Sequence, residues 1–358
     1  MLKLFTFTFI LFLLTPPLAA LEGGSVKALD PGEICETQSI MTLPWTLCLF
    51  DNEKTPGELR RALKMGFQEV HRIDEWMSEW KPKSLISQIN EQAGISPVLV
   101  TDEAFATIQQ SIHHSELTGG AWDITFNAFF GLYSWKKGSE KFPSDDEIKK
   151  ILPLVNYKNI ILDSSRKSVF LKNKGMKIGL GGMGEGWAVD KVFELLKPLK
   201  IKSGYIDASG AVRVWGVKPN NKLWVIAVGD PRPMNPDPQR SQFIYKMYAT
   251  DIAVTTAGDT EKSFYRNGRL YHHIIDPKTG YSADQSIQVT CIGPTATICD
   301  FVDDGAFILG GEKGKSYAES QGTQVIMIDP KKHILMSKGL KVKTTAWGKA
   351  IQLRRNFF

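Results

Sequence analysis

In "TPGELRRALKMGFQEVHRIDEWM" apolar and small residues return every three to four positions. Leu59, Leu63, Gly66, Val70, Ile73 and Met77 share one stripe, and that spacing predicts a helix with one buried face. Thr55 stands as its N-cap, Pro56 takes the first helical position, and Glu58 lies three residues beyond the cap, the arrangement of a capping box. A second helix is predicted after Thr101, with Phe105, Ile108 and Ile112 inward, and a third after Ser144, with Glu147 completing its cap. Between the first two, "SEWKPKSLISQIN" reads as a polar turn. Residues 38–50 alternate imperfectly and read as one strand that stops at "DNEKTPG".

The second half changes period. "NIILD" and "SVFLK" are short strand candidates, and in "MKIGLGGMGEGWAVDKVFELLKPL" a strand turns into a helix through a run of glycines. Strand-like segments then dominate ("SGYIDASGAVRVWG", "LWVIAVGDPR", "IAVTTAGD", "YHHIIDP", "SIQVTCIGP", "QVIMID"), with one helix near 298–309. No regular βαβ alternation emerges. The expected class is therefore α+β, with mixed or antiparallel sheets and packed helices. "GDPRPMNPDPQRSQ", residues 229–242, reads as a surface excursion.

The ends and the charge narrow the setting. "MLKLFTFTFILFLLTPPLAA" has the form of a secretory signal peptide cut after Ala20. No cysteine sits at that cleavage point to carry a lipid, and no later apolar run reaches the ~20 residues needed to span a bilayer. Residues 21–358 would then form one large core or two intertwined lobes. The net charge of +6 is spread along the chain, which argues against a nucleic-acid partner and is compatible with a small polyanion. Export permits a bond between Cys35 and Cys48, whereas Cys291 and Cys299 read equally well as buried thiols.

Three stretches carry candidate chemistry. "NGRLYHHIIDPKTG", residues 267–280, sets two histidines ahead of an Asp-Pro turn that can fix an imidazole; a plain hairpin is the competing reading. "GLGGMGEGWAVD", residues 179–190, has too many glycines for a stable helix interior. Either it is a tight packing turn, or it brings backbone amides close to phosphate oxygens. "TATICDFVDDG" spaces Asp300 and Asp304 four residues apart, so on a helix both carboxylates share a face. There they could hold a hard divalent cation, or form a solvated acidic turn, with Asp303 a bystander.

Together these stretches resemble the FAD:protein FMN transferases, periplasmic enzymes that move FMN from FAD onto a threonine or serine of a partner protein. "MSEWKPKSLISQIN" is similar to their Met-Ser-Thr-Trp/Tyr turn, and "TGGAWDITF" to their Gly-Ala-Phe-Asp-Pro-Thr segment. "LGGMGEGWAVD" resembles Gly-Gly-x-x-Lys/Glu-Gly-Tyr-Ala-x-Asp, "VTTAGD" resembles Thr-Ser-Gly-Asp, and "YHHIIDPKTG" resembles Tyr-x-His-Ile-x-Asp-Pro-x-Thr-Gly. Order and spacing agree from about residue 39 to 312.

The resemblance implies a flavin-transferase-like catalytic domain over 21–358, FAD as donor, Mg2+ as the metal, and a periplasmic location. The partner it implies is a protein with an exposed Thr or Ser, a subunit of a membrane redox complex being one candidate. It places His273 and Asp276 in catalysis, with Asp276 alternatively holding the turn. Met41, Trp80, Gly120, Ala121, Asp123, Gly182, Glu185, Asp190, Ser209, Gly210, His273 and Ile274 are placed around the FAD. Asp300, Asp304 and the carbonyl of Gly184 are placed at the metal. Three departures stand out: Ser209-Gly210-Ala211 for Gly-Gly-Asp, Ala257 for a serine, and Asp304 for a threonine. An FAD hydrolase yielding FMN and AMP, or a non-catalytic flavin carrier, are the alternatives these departures leave open.

Overall fold

The computed structural model describes residues 32–344 except 137, 219, 233–242 and 341, together with the short pairs 12–13 and 27–28. Apart from Phe12 and Leu13, the expected leader and its cleavage point lie outside the described residues, as does most of the proline-rich excursion. Seven α-helices are present among the described residues. They are α1 (Pro56–Met77), α2 (Leu85–Glu91), α3 (Asp102–Leu117), α4 (Asp145–Ile151), α5 (Gly184–Leu196), α6 (Ala296–Leu309) and α7 (Gly311–Ser320).

Nine antiparallel strands make the central sheet. Their spatial order is Ile334–Met336, Gln324–Ile328, Gln288–Gly293, Ile252–Gly258, Ala211–Trp215, Ser203–Ala208, Leu43–Phe50, Glu33–Ile40 and Lys27–Ala28. Alternation along each strand sends side chains to two different cores. Trp45, Leu47, Leu49, Ile206 and Ala208 join α1, α5 and α6 in the larger core. Tyr205, Val212, Val214 and Val254 point the other way, toward a second sheet containing Trp224–Gly229 and Phe243–Ala249. The α+β class holds, and among the described residues every strand pair of the central sheet is antiparallel.

The first helix forms as its sequence pattern dictates. Thr55 and Glu58 complete the capping box, and Leu59, Leu63, Gly66, Val70, Ile73 and Met77 are all buried. α3 and α4 start at Thr101 and Ser144 as expected. No helix among the described residues is long and apolar enough to cross a membrane.

Four expectations are corrected. The strand expected over 38–50 is a hairpin, Glu33–Ile40 and Leu43–Phe50, turning through Met41 and Thr42. Both have positive φ (53° and 65°), the geometry of a primed two-residue turn, and no Asn or Gly announces it. The polar turn after α1 contains α2, capped by Ser84 Oγ on the Ser87 amide. The expected strand before the glycine run does not form. Instead, the side chain of Asn90 takes the Ile178 amide proton (2.7 Å) and donates to the Ile178 carbonyl (2.9 Å), replacing a neighbouring strand. Finally, α6 is followed at once by α7, separated by Gly310 with φ 64°.

Cys35 and Cys48 face each other across the first hairpin and are bonded. Cys291 and Cys299 are buried free thiols.

Candidate active site

At the edge of the helix-side core, the segment just after α1, the glycine run, α6 and the 259–262 loop bring their carboxyl groups together. Helical spacing does put Asp300 and Asp304 on one face of α6, whose N-terminus is capped by Thr295. That face looks at the start of α5. Asp300 Oδ2 accepts the Gly186 amide at 2.8 Å. A Cβ on Gly182 would lie 2.9 Å from both Asp304 Oδ2 and Trp122 Nε1, and one on Gly186 would lie 2.7 Å from the Cβ of Asp300. The glycines are thus what lets this backbone approach the acidic face. Gly184 is the first residue of α5, following Met183, whose side chain makes no capping bond.

Electrostatics make the cluster unusual. Burial pushes the Asp300 carboxyl well above its ordinary range, and the nearby Glu185 and Asp304 add to this. Asp304 is raised to about 7, by burial first and then by Glu185 and Glu261. Glu185 is raised by burial as well, although Lys262 opposes it. All three side chains keep some solvent contact, so they are not sealed inside the core.

Two further carboxyls complete the cluster, and sequence reasoning missed both. Glu79 is raised to about 7 by burial and by Glu185, with the Leu180 amide pulling the other way. Glu261 is raised to about 7 by burial and by Glu185, against Lys262. A signal for Glu79 existed: it stands where the resembled motif has threonine, beside Trp80 in "MSEW". Nothing local marks Glu261.

This donor set fits a hard divalent cation. Oxygen ligands that repel one another in the free protein are the ones a cation relieves. Among the described residues, no three of these carboxylates bring ligand atoms within 4.8 Å of one another; the group that does is Glu33, Cys35 and Cys48, whose thiols are joined in the disulfide. Asp300 and Asp304 would therefore need main-chain, water or substrate oxygens to complete a shell.

The histidines separate cleanly. His272 is buried, its Nε2 donating to the Ala283 carbonyl at 2.8 Å. His273 is half-buried, and its Nδ1 bonds the Glu261 carbonyl at 3.2 Å. A carbonyl only accepts, so Nδ1 carries the proton and Nε2 presents its lone pair. Burial, then Lys262 and His272, lower its pKa to about 3, which keeps the ring neutral. Trp80 is 71% exposed and meets Phe130 edge-on at 5.2 Å, leaving a large aromatic surface for a planar ligand.

Met41 sits in the tight turn described above, and Ser209 and Gly210 form the turn after Ser203–Ala208 at the same end of the sheet. The Ser209 hydroxyl donates to the Pro44 carbonyl at 3.1 Å. Gly120 (φ 79°) and Ala121 belong to the turn after α3, tied back to Ser115 and Thr118. Ile274 is buried in the larger core, so its backbone is what it could offer a ligand.

Three predicted residues are occupied elsewhere. Asp123 caps the turn Ile124–Phe129, accepting from the Thr125 amide and hydroxyl and from the Tyr157 amide. Asp276 accepts the Lys278 amide and holds the turn, the alternative given above for it. Asp190 pairs with Arg213 and accepts the Ala296 amide (3.0 Å), the Thr297 amide (2.7 Å) and the Thr297 hydroxyl (2.6 Å). Four donors saturate its oxygens, so it clamps α5 to the start of α6 and offers nothing to a ribose. Ala211 is buried on the helix side, where the resemblance would place an aspartate. The carboxyl at this turn is Asp207, on the other sheet face, bonded to the Gly210 amide at 3.3 Å and raised to about 7 by burial.

A glycine turn facing paired helix carboxylates, with a neutral imidazole tied to the same cluster through Glu261, is an enzyme-type arrangement. The family model described as the ApbE family matches residues 41–327, and the chain belongs to that family. It is 26% identical over 304 residues to the FAD:protein FMN transferase of Treponema pallidum, covering 81% of this chain and 83% of that one. With the enzyme of the same name from Haemophilus influenzae it shares 25% identity over 309 residues, 85% and 82% covered. The ApbE protein of Thermotoga maritima has a TM-score of 0.74 at 26% identity, over 88% of this chain and 97% of that one. The flavin transferase ApbE of Vibrio cholerae matches in fold, with a TM-score of 0.71 at 22% identity and 89% and 98% covered.

Proposed function

We propose that this protein transfers the FMN moiety of FAD to a threonine or serine hydroxyl of a partner protein, releasing AMP, with Mg2+ bound at Asp300 and Asp304. The observation that carries the reading is the carboxylate cluster itself. Repelling carboxylates meet a glycine backbone at α5 and α6, and a neutral His273 is tied to the same group through Glu261. Family membership and the name shared by the curated relatives support the same reaction.

In that reaction the acceptor oxygen forms a bond to the FMN phosphorus, the bond from that phosphorus to the AMP oxygen breaks, AMP departs with the bridging oxygen, and the hydroxyl proton passes to solvent. Bound Mg2+ would neutralise pyrophosphate charge and stabilise the departing phosphate. The chain's own residues do the positioning. Trp80 offers a stacking face, the glycine run lets the backbone approach the pyrophosphate, and Nε2 of His273 accepts the hydrogen of a hydroxyl brought to it. With a pKa near 3, His273 orients that hydroxyl better than it removes its proton. The leader-like N-terminus supports export to the periplasm and an exported acceptor.

Incubation of the protein with FAD, Mg2+ and a threonine-bearing acceptor domain tests the reading by mass spectrometry. Covalent FMN on the acceptor together with AMP release is the expected result. AMP release without labelling would make the enzyme a hydrolase, and tight FAD binding with neither product would make it a carrier.

A further inference from the structure

The hairpin Ser263–Arg266 and Arg269–His272 stands apart from the central sheet and leads straight into His273. It turns through Asn267 and Gly268, both at positive φ (51° and 76°). This is the primed turn that matches strand twist. Its base is tied to the site, since Glu261 just before it accepts the bond from His273. One face is anchored through rings: Phe264 stacks on Tyr271, and Tyr271 meets Phe142 at 4.3 Å.

The tip is built at an electrostatic cost. Arg266 and Arg269 are directly opposite each other in the register, and like charges so placed destabilise a strand pair. Among the described residues, neither forms an ion pair with a carboxylate, and both are exposed. Each guanidinium instead lies over a ring, Arg266 at 5.7 Å from the Phe142 centroid and Arg269 at 5.5 Å from that of Tyr271. Stacking occupies the flat face of a guanidinium and leaves its in-plane N–H edge free for a carboxylate. On the opposite face of the hairpin Tyr265 is 71% exposed, and Tyr and Arg are residue types enriched among the hot spots of protein interfaces.

We propose that this hairpin tip is the docking surface for the acceptor protein, and that it binds a segment carrying carboxylates next to the hydroxyl to be modified. The inference rests on the acceptor being a protein, as proposed above. Charge complementarity selects the occupant. The two guanidiniums, without a carboxylate partner among the described residues, stand at the tip of the hairpin whose other end leads into His273, so an acidic segment is held at the tip and its hydroxyl is the part that reaches toward His273.

The test uses a short fluorescein-labelled peptide with one threonine flanked by aspartates, and its asparagine counterpart, on the full chain with FAD and Mg2+ present. The aspartate peptide should bind with a salt-dependent affinity. Arg266→Glu with Arg269→Glu should weaken it about tenfold or more, and Arg266→Lys with Arg269→Lys should retain part of it. FAD titration should be the same in all three proteins. Equal peptide binding by the parent and the charge-reversed protein would overturn the proposal. So would a parallel loss of FAD affinity, which would assign the guanidiniums to the nucleotide. Loss of binding to phosphatidylglycerol vesicles with peptide binding intact would overturn it in favour of a membrane surface. Failure of the parent chain to bind FAD would overturn the transferase reading instead, so the two failures are separable.

Discussion

Asp190 and Asp300 both lie at the junction of α5 and α6, yet their surroundings are opposite. Asp190 has four donors, one of them a guanidinium. Asp300 has one amide and a crowd of other carboxylates. A satisfied carboxylate fixes two helices against each other, while one short of donors is free to take a cation, the role proposed for Asp300. The comparison teaches that "acidic residue in a glycine-rich motif" is not yet a role, because the role depends on how many donors the fold supplies.

The comparison can be broken at several points. Asp190→Ala should have the largest effect, a loss of about 3–5 kcal/mol in urea unfolding, because Arg213 and the α6 amides are left without their acceptor. A variant of unchanged stability that no longer binds FAD would reverse the assignment. Asp300→Ala should reduce FMN transfer by about 10²–10³-fold, with the thermal midpoint little changed. Transfer at the parental rate would remove this residue from the site. Asp304 sharpens the picture further. Asp304→Ala should weaken Mg2+ binding in calorimetry by about 10–100-fold, whereas Asp304→Thr should recover most of it, since it restores an oxygen at lower charge.

The smallest effect concerns pH. Glu79 is raised from 4.5 to about 7 in the folded protein, so between those values the folded state holds a proton that the unfolded chain releases. The stability it contributes is complete below 4.5 and is lost as pH rises toward 7. Glu79→Gln should flatten that part of the stability curve in thermal melts. An unaltered slope would show that this carboxyl is not held neutral.

Much of the fold was legible where local signals agree. Thr55, Pro56 and Glu58 fix the start of α1, and its stripe names the buried face. Reading failed where the structure uses a substitute for the usual signal. Met41 and Thr42 turn a hairpin without Asn or Gly, and the Asn90 side chain stands in for a strand beside Ile178. The site divides in the same way. Asp300 and Asp304 are neighbours on one helix and could be paired from spacing alone. Glu79 and Glu261 reach them from segments more than a hundred residues apart, and only the packing of α1 and the 259–262 loop makes them neighbours. The misassigned Asp190 shows the reverse limit, since a motif position says where a side chain is and not which amides surround it.

The Met41–Thr42 turn gives protein engineering an unusual handle. Left-handed backbone is unfavourable for residues with side chains, by about 1–2 kcal/mol each, and an Asn-Gly pair would adopt the same turn with far less strain. A chain carrying Met41→Asn and Thr42→Gly should therefore melt at a higher temperature. If that hardier protein also loses affinity for flavin, the turn is a place where durability has been exchanged for a thioether at the ligand, and the exchange rate can be measured directly.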